Sequence, residues 1–206
     1  MNNCKQSTSQ RFSQPTHYRT GQRTHQGTRQ RGFTLVEAMV TLSLAVASLT
    51  AGAPMIKGVA DAMRLNSASE GYFHSLMLAR SEAIKRGSRV VLCKSADVAT
   101  CTTQGRWEQG WLVFHDVNNN AKLDAGETVL ARQEALPKGV RLIGNQPVAS
   151  YVSYTSLGNT VTPGGGFQAG TFTLCNQSAG KSDAREIVIA SSGRPRTKKV
   201  SLASCA

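Results

Sequence analysis

The sequence predicts an α+β fold in which a long N-terminal helix packs on an antiparallel β head of about seven or eight strands. Three observations predict it. Residues 33–56 form a 24-residue run whose single charge is Glu37. Helical spacing of apolar residues then carries on to about Arg86, where Gly87 supplies a stop. From Arg89 onward the pattern shortens to brief β-like runs separated by turn residues. With 206 residues there is room for one domain and an anchor.

The segment before the apolar run is chemically different from the rest. Residues 1–32 hold Lys5, Arg11, Arg19, Arg23, Arg29 and Arg31 and no acid, which is half of the formal net charge of +12. Rich in Gln, Thr, Ser and Arg, this stretch has few apolar side chains to bury and reads as a disordered basic leader. At about 1.5 Å per residue, a helix over 33–56 spans roughly 36 Å, enough to cross a hydrocarbon core of about 30 Å. Cations on the leader side place the N-terminus in the cytoplasm and everything after the span on the far side, in a single pass.

Three readings compete for this N-terminus. A secretory signal peptide draws on Ala51-Gly52-Ala53 as a cleavage site, but the basic region and the apolar run are both too long, and Pro54 follows the cut. An uncleaved anchor explains the hydrophobicity but not Glu37. A carboxylate at the bilayer centre costs about 2.5–3.5 kcal/mol and needs a partner. Cleavage after Gly32 supplies one: a new α-amine on Phe33, four residues before Glu37 and largely cationic.

Arg31-Gly32-Phe33-Thr34-Leu35-Val36-Glu37 resembles the processing motif of type IV prepilins and type II secretion pseudopilins. The resemblance implies that a prepilin peptidase cuts after Gly32 and methylates Phe33. It implies too that Glu37 directs assembly by neutralising the N-terminus of the next subunit, in a bacterial inner membrane with the head periplasmic. Pro54 stands where many such proteins kink their helix. The long leader suits a minor pilin or a start codon assigned too early.

After Ile56 the helix is expected to run on as an amphipathic segment over 57–88, its stripe made by Val59, Met63, Phe73, Leu76, Met77, Leu78 and Ile84, packed on the following sheet. The head is expected over 89–206. Its predicted strands are Arg89–Cys93, Trp111–His115, Thr128–Gln133, Val140–Ile143, Tyr151–Thr155, Thr171–Cys175 and Glu186–Ala190. Gly110-Trp111-Leu112-Val113-Phe114-His115-Asp116 and the ending Ile187-Val188-Ile189 to Gly193-Arg194-Pro195-Arg196 resemble the FimT/GspH branch of the family.

Cys4 leaves with the leader, and Cys93, Cys101, Cys175 and Cys205 stay on the oxidising side, which points to two disulfides. Three pairings are open; Cys93 with Cys101, closing a short loop, and Cys175 with Cys205, pinning the tail, are the expected ones. Zinc is disfavoured, since no CxxC occurs and only His74 and His115 follow the leader. Asp116, Asn118, Asn120, Asp124 and Glu127 fall at positions 1, 3, 5, 9 and 12 of a calcium-loop pattern. Ala121 stands where that loop needs glycine, so the expected reading is a polar hairpin loop. No cofactor or metal is expected.

The tail Gly193–Lys199 places Arg194, Arg196, Lys198 and Lys199 within six residues. Gly193 and Pro195 suggest an exposed stiff loop with both arginines pointing the same way, suited to successive phosphates. The resemblance to FimT-like minor pilins, which carry a Gly-Arg-x-Arg motif here, implies contact with double-stranded DNA. The alternative is a solvated surface, or one facing an acidic neighbour. Gly164-Gly165-Gly166 lacks the following Lys and Ser/Thr of a phosphate-binding loop, and nothing pairs a nucleophile with a base, so no enzymatic activity is expected.

Overall fold

The computed structural model describes residues 32–177 and 180–205, with side chains throughout except at 49–56. The leader before Gly32, Cys4 included, and the Pro54 side chain lie outside the described residues. The chain divides into two compact units at Ala47/Ser48. The first unit contributes the start of helix α1, which spans Leu35–Arg86. Among the described residues no helix is long and apolar enough to cross a membrane. Residues 49–56, the last third of the apolar run, lie outside that description.

α1 ends as its sequence requires. Gly87 takes φ 62°, while its N–H donates to Ile84 O and that of Ser88 to Ala83 O, the paired bonds of a Schellman motif. Glu82 pairs with Arg86 at 2.7 Å in the last turn.

In the second unit the head folds as two antiparallel four-stranded sheets. One has the order β3-β2-β1-β5, built from β1 (Val90–Lys94), β2 (Trp111–His115), β3 (Val129–Gln133) and β5 (Tyr151–Tyr154). The other has the order β4-β6-β7-β8, built from β4 (Val140–Gly144), β6 (Gly170–Asn176), β7 (Ser182–Ile189) and β8 (Pro195–Leu202). The core takes one stripe of α1 and one face of each sheet: Val90, Leu92, Trp111, Val113, Val152 and Tyr154 from the first, Leu142, Phe172, Leu174, Ile187 and Ile189 from the second. At its centre Tyr72 meets Trp107, Trp111 and Phe172 edge-on, with centroids 4.8–5.4 Å apart.

Two expectations need correction. The buried stripe of α1 is Leu65, Ala68, Tyr72, Leu76, Ala79 and Ala83. Of the predicted stripe, only Leu76 is buried and Phe73 packs partly against the core, while Val59, Met63, Met77, Leu78 and Ile84 are exposed. The reason is steric: three alanines on the seam let the helix approach the sheets closely, whereas counting large apolar residues picks the wrong face. The second correction is β8. The tail expected as a loop is a strand paired with β7 over eight residues, from Ile189↔Pro195 to Ser182↔Leu202. Hydrogen-bonding to β7 overrides the turn signal of Gly193 and Pro195.

Both disulfides form in the head, Cys93–Cys101 across eight residues and Cys175–Cys205 across 30. The first closes a loop that helps cover the outer face of β1 and β2, where Val91, Leu112 and Phe114 are buried. The second joins β6 to the residues after β8, beside Ala184, Val200 and Leu202.

Candidate functional site

At the N-terminus Gly32, Phe33 and Glu37 are all exposed, Phe33 at 79%. The Thr34 hydroxyl accepts the Glu37 N–H at 3.2 Å, which makes Thr34 the N-cap of α1 and puts Glu37 at the third helical position. Thr-x-x-Glu is the capping-box pattern, a signal present in the sequence and not used in reading it. The Glu37 carboxylate makes no ion pair among the described residues, and Glu37 is the acidic residue of the first helical turn.

The basic tail is positioned from underneath. The chain leaves β7 and turns, with Gly193 N–H donating to Ala190 O at 2.8 Å. Gly193 is buried, has φ 73°, and a Cβ there falls 2.0 Å from Gly158 O. Only glycine fits that contact. Gly158 O in turn accepts Arg80 Nε from α1 at 2.8 Å, and Thr160 N–H donates to Ser191 O at 3.1 Å. The turn that carries Arg194 is therefore seated on the loop after β5, and that loop on α1.

Beyond the turn, strand geometry distributes the charges. Pro195 is buried opposite Ile189, and Arg194 and Arg196 flank it, both exposed. Alternation along β8 puts Arg196 and Lys198 on the outer side, and Thr197 and Lys199 on the side of α1. Lys198 pairs with Glu186 on β7 at 2.8 Å. Arg194, Arg196 and Lys199 make no ion pair among the described residues. The strand, and not a stiff loop, holds Arg196, while Arg194 stands in the turn just before it. Arg185, opposite Lys199 on β7, joins the basic set; it is close in sequence, but only the strand register brings the two together.

The Asp116–Glu127 loop uses its polar groups on itself. Asp116, fully buried, accepts the N–H groups of Asn120 and Ala121 at 3.1 and 2.8 Å. Asp124 accepts the amides of Asn118 and Asn120, and those bonds hold its carboxyl below the usual carboxylate range. Glu127 accepts the N–H groups of Val117 and Asp124. Ala121, at the place of the missing glycine, takes φ 57°, and with Leu123 it packs over the buried outer face of β1 and β2. This is the polar hairpin loop, serving as a cover. Elsewhere Ser88 Oγ and His115 Nε2 lie 2.5 Å apart, joining the end of α1 to β2. His74 is exposed on α1.

Residues 68–193 match the family of type II transport protein GspH, a match ending at the glycine that seats the basic strand. Residues 27–53 match the prokaryotic N-terminal methylation motif. Among solved structures, the type IV minor pilin FimU of Pseudomonas aeruginosa is 20% identical with a TM-score of 0.50, over 69% of this chain and 95% of that one. The minor pseudopilin EpsH from the type 2 secretion system of Vibrio cholerae is 13% identical with a TM-score of 0.43, over 68% of this chain and 97% of that one. At such identity the FimU likeness speaks for the fold: a helix on antiparallel sheets. No curated protein matches the sequence. A GspH match over more than half of the length, behind an N-terminal methylation motif, makes the chain a member of the GspH family of pilin-like proteins.

Proposed function

We propose that this chain is a minor pilin of a type IV pilus that binds double-stranded DNA without sequence preference during DNA uptake. In this reading prepilin peptidase cuts after Gly32 and methylates Phe33, residues 33–56 anchor the subunit in the inner membrane, and the head is periplasmic. Phe33 and Glu37 then drive assembly with other pilin subunits, the α-amine of one pairing with the carboxylate of the next. The exposed apolar residues Val59, Met63, Met77, Leu78 and Ile84 are available to neighbouring subunits.

The observation that carries the DNA reading is the pair of unpaired arginines at the start of β8. Arg194 and Arg196 are exposed and uncompensated, beside a strand fixed by the Gly193–Gly158 contact, while Lys199 lies on the side of α1. Arginine binds phosphate through a preorganised fork, and contacts to phosphate position a protein without reading bases. Counting Lys198, about three phosphates are neutralised, so log K falls with log salt at a slope of roughly −2.7.

The test is duplex DNA binding by the processed chain in detergent across a salt series, beside the Arg194→Ala, Arg196→Ala variant. Steep salt dependence and collapse in the variant support the proposal; no binding by the parent at low salt overturns it. The GspH family match favours a second reading, a minor pseudopilin of a type II secretion system whose head contacts other pseudopilins and not DNA. Deleting the gene distinguishes the two, since the first predicts lost transformation and the second lost protein secretion.

A further inference from the structure

The helix-facing side of the β7–β8 edge carries charge that the DNA reading does not use. α1 and this edge enclose a groove of about 430 Å³, lined in part by Asn66, Glu70, Phe73, His74, Arg185 and Lys199. Arg185 and Lys199 are direct cross-strand partners. Like charges placed opposite each other repel, and neither has an ion pair among the described residues, Glu70 included. Arg185 is also held in place. Its Nε and Nη2 donate to Asn66 Oδ1 at 3.1 and 2.9 Å, and its Nη1 donates to Ala184 O at 3.0 Å. Three of the five guanidinium N–H groups are thus used in orienting it, and two are left for a ligand.

A clamped guanidinium facing an unpaired ammonium is a phosphate-binding arrangement, because an anion between them removes their repulsion and meets the arginine fork. Phe73, partly buried, adds an aromatic wall beside the two cations. Cations next to an aromatic ring are what an unpaired nucleotide recognises, phosphate on one and base on the other. A duplex offers its phosphates but not its base faces, and unstacking a base costs a few kcal/mol.

We propose that this groove binds one unpaired nucleotide of a DNA strand, its phosphate between Arg185 and Lys199 and its base against Phe73. The proposal rests on the DNA reading only for the source of the nucleotide. Since alternate residues of β8 face opposite ways, a strand passing over this edge meets Arg196 on the outer side and Lys199 on the inner. Duplex backbone then belongs to the Arg194/Arg196 side, and a frayed or single-stranded end to the groove.

The test is anisotropy with the processed full chain in detergent and labelled oligothymidine, with blunt duplex, thymidine monophosphate and inorganic phosphate as competitors. Arg185→Gln with Lys199→Gln is expected to weaken oligothymidine at least about tenfold and blunt duplex by no more than about twofold. Lys199→Gln alone, at an exposed position that leaves the fold intact, is expected to weaken oligothymidine about threefold. Oligothymidine binding unchanged in both variants overturns the proposal, as does an equal loss of duplex. Inorganic phosphate competing as well as thymidine monophosphate also overturns it, by removing the base contact. If the parent binds no duplex yet holds oligothymidine in an Arg185- and Lys199-dependent way, the uptake reading fails and the groove stands.

Discussion

The Asp116–Glu127 loop and the Gly193–Lys199 stretch are both short, polar and dense in charge, yet they dispose of it in opposite ways. In the first, Asp116, Asp124 and Glu127 are each met by N–H groups of the loop itself, and Ala121 and Leu123 face the sheet. In the second, Arg194, Arg196 and Lys199 make no ion pair with any acid among the described residues. Residue composition makes both look like ligand sites. Hydrogen-bond accounting separates them: a charge answered inside its own loop holds the fold, and a charge left unanswered on a fixed strand is available to a partner.

The largest expected effect is at the seat of the basic strand. Gly193→Ala should cost roughly 3 kcal/mol, combining left-handed strain with a Cβ driven into Gly158 O, as read by denaturant unfolding. A neutral result means that the turn is not fixed. Next is Asp116→Ala, which removes a buried acceptor from two part-buried N–H groups, leaving Asn120 only its longer bond to Asn118 Oδ1, and should cost about 2 kcal/mol. Duplex DNA affinity should stay unchanged in that variant; a matching loss of affinity merges the two regions into one site. On the other side, Glu186→Gln releases Lys198 from its pair and should raise duplex affinity by about 0.5 kcal/mol at low salt. Lower affinity removes Lys198 from the interface.

The smallest effect concerns Asp97, another carboxylate answered by its own loop. The Thr100 and Ala99 N–H groups and the Thr100 and Ser95 hydroxyls hold it well below the usual carboxylate range. A depressed folded-state pKa stabilises above the unfolded value and is lost as pH falls toward the folded one. The melting difference between the parent and Asp97→Asn should therefore be constant near neutrality and narrow progressively below about pH 4. A difference independent of pH assigns the effect to something other than the ionised group.

Legibility in the sequence followed how strongly each segment is buried. β2 reads directly as Trp111–His115 because the run is apolar and covered on both faces. The end of α1 reads from Gly87, which its left-handed conformation requires. β8 does not read as a strand, because it is the last of its sheet and carries Pro, Lys and Arg, residues that blunt sheet edges. The seam of α1 is hidden for the opposite reason, its alanines being too small to register as a stripe. Of the candidate site, Arg194 and Arg196 are visible as a local motif. The Arg185–Lys199 pair depends on strand register, which no local pattern states.

The Cys175–Cys205 bridge bears on how this head would carry a load. A strand at the edge of a sheet is normally the first to come away, because a transverse pull opens its hydrogen bonds one after another from a loose end. β8 has no loose end. Its start is fastened to β7 through the turn at Gly193, and the residues after its finish are fastened covalently to β6. Tension applied at Arg196 is thus shared by two anchor points on different strands, so peeling has nowhere to begin. Reducing the bridge converts that edge from a fixed beam into a flap, leaving the side chains the same but lowering the force it withstands.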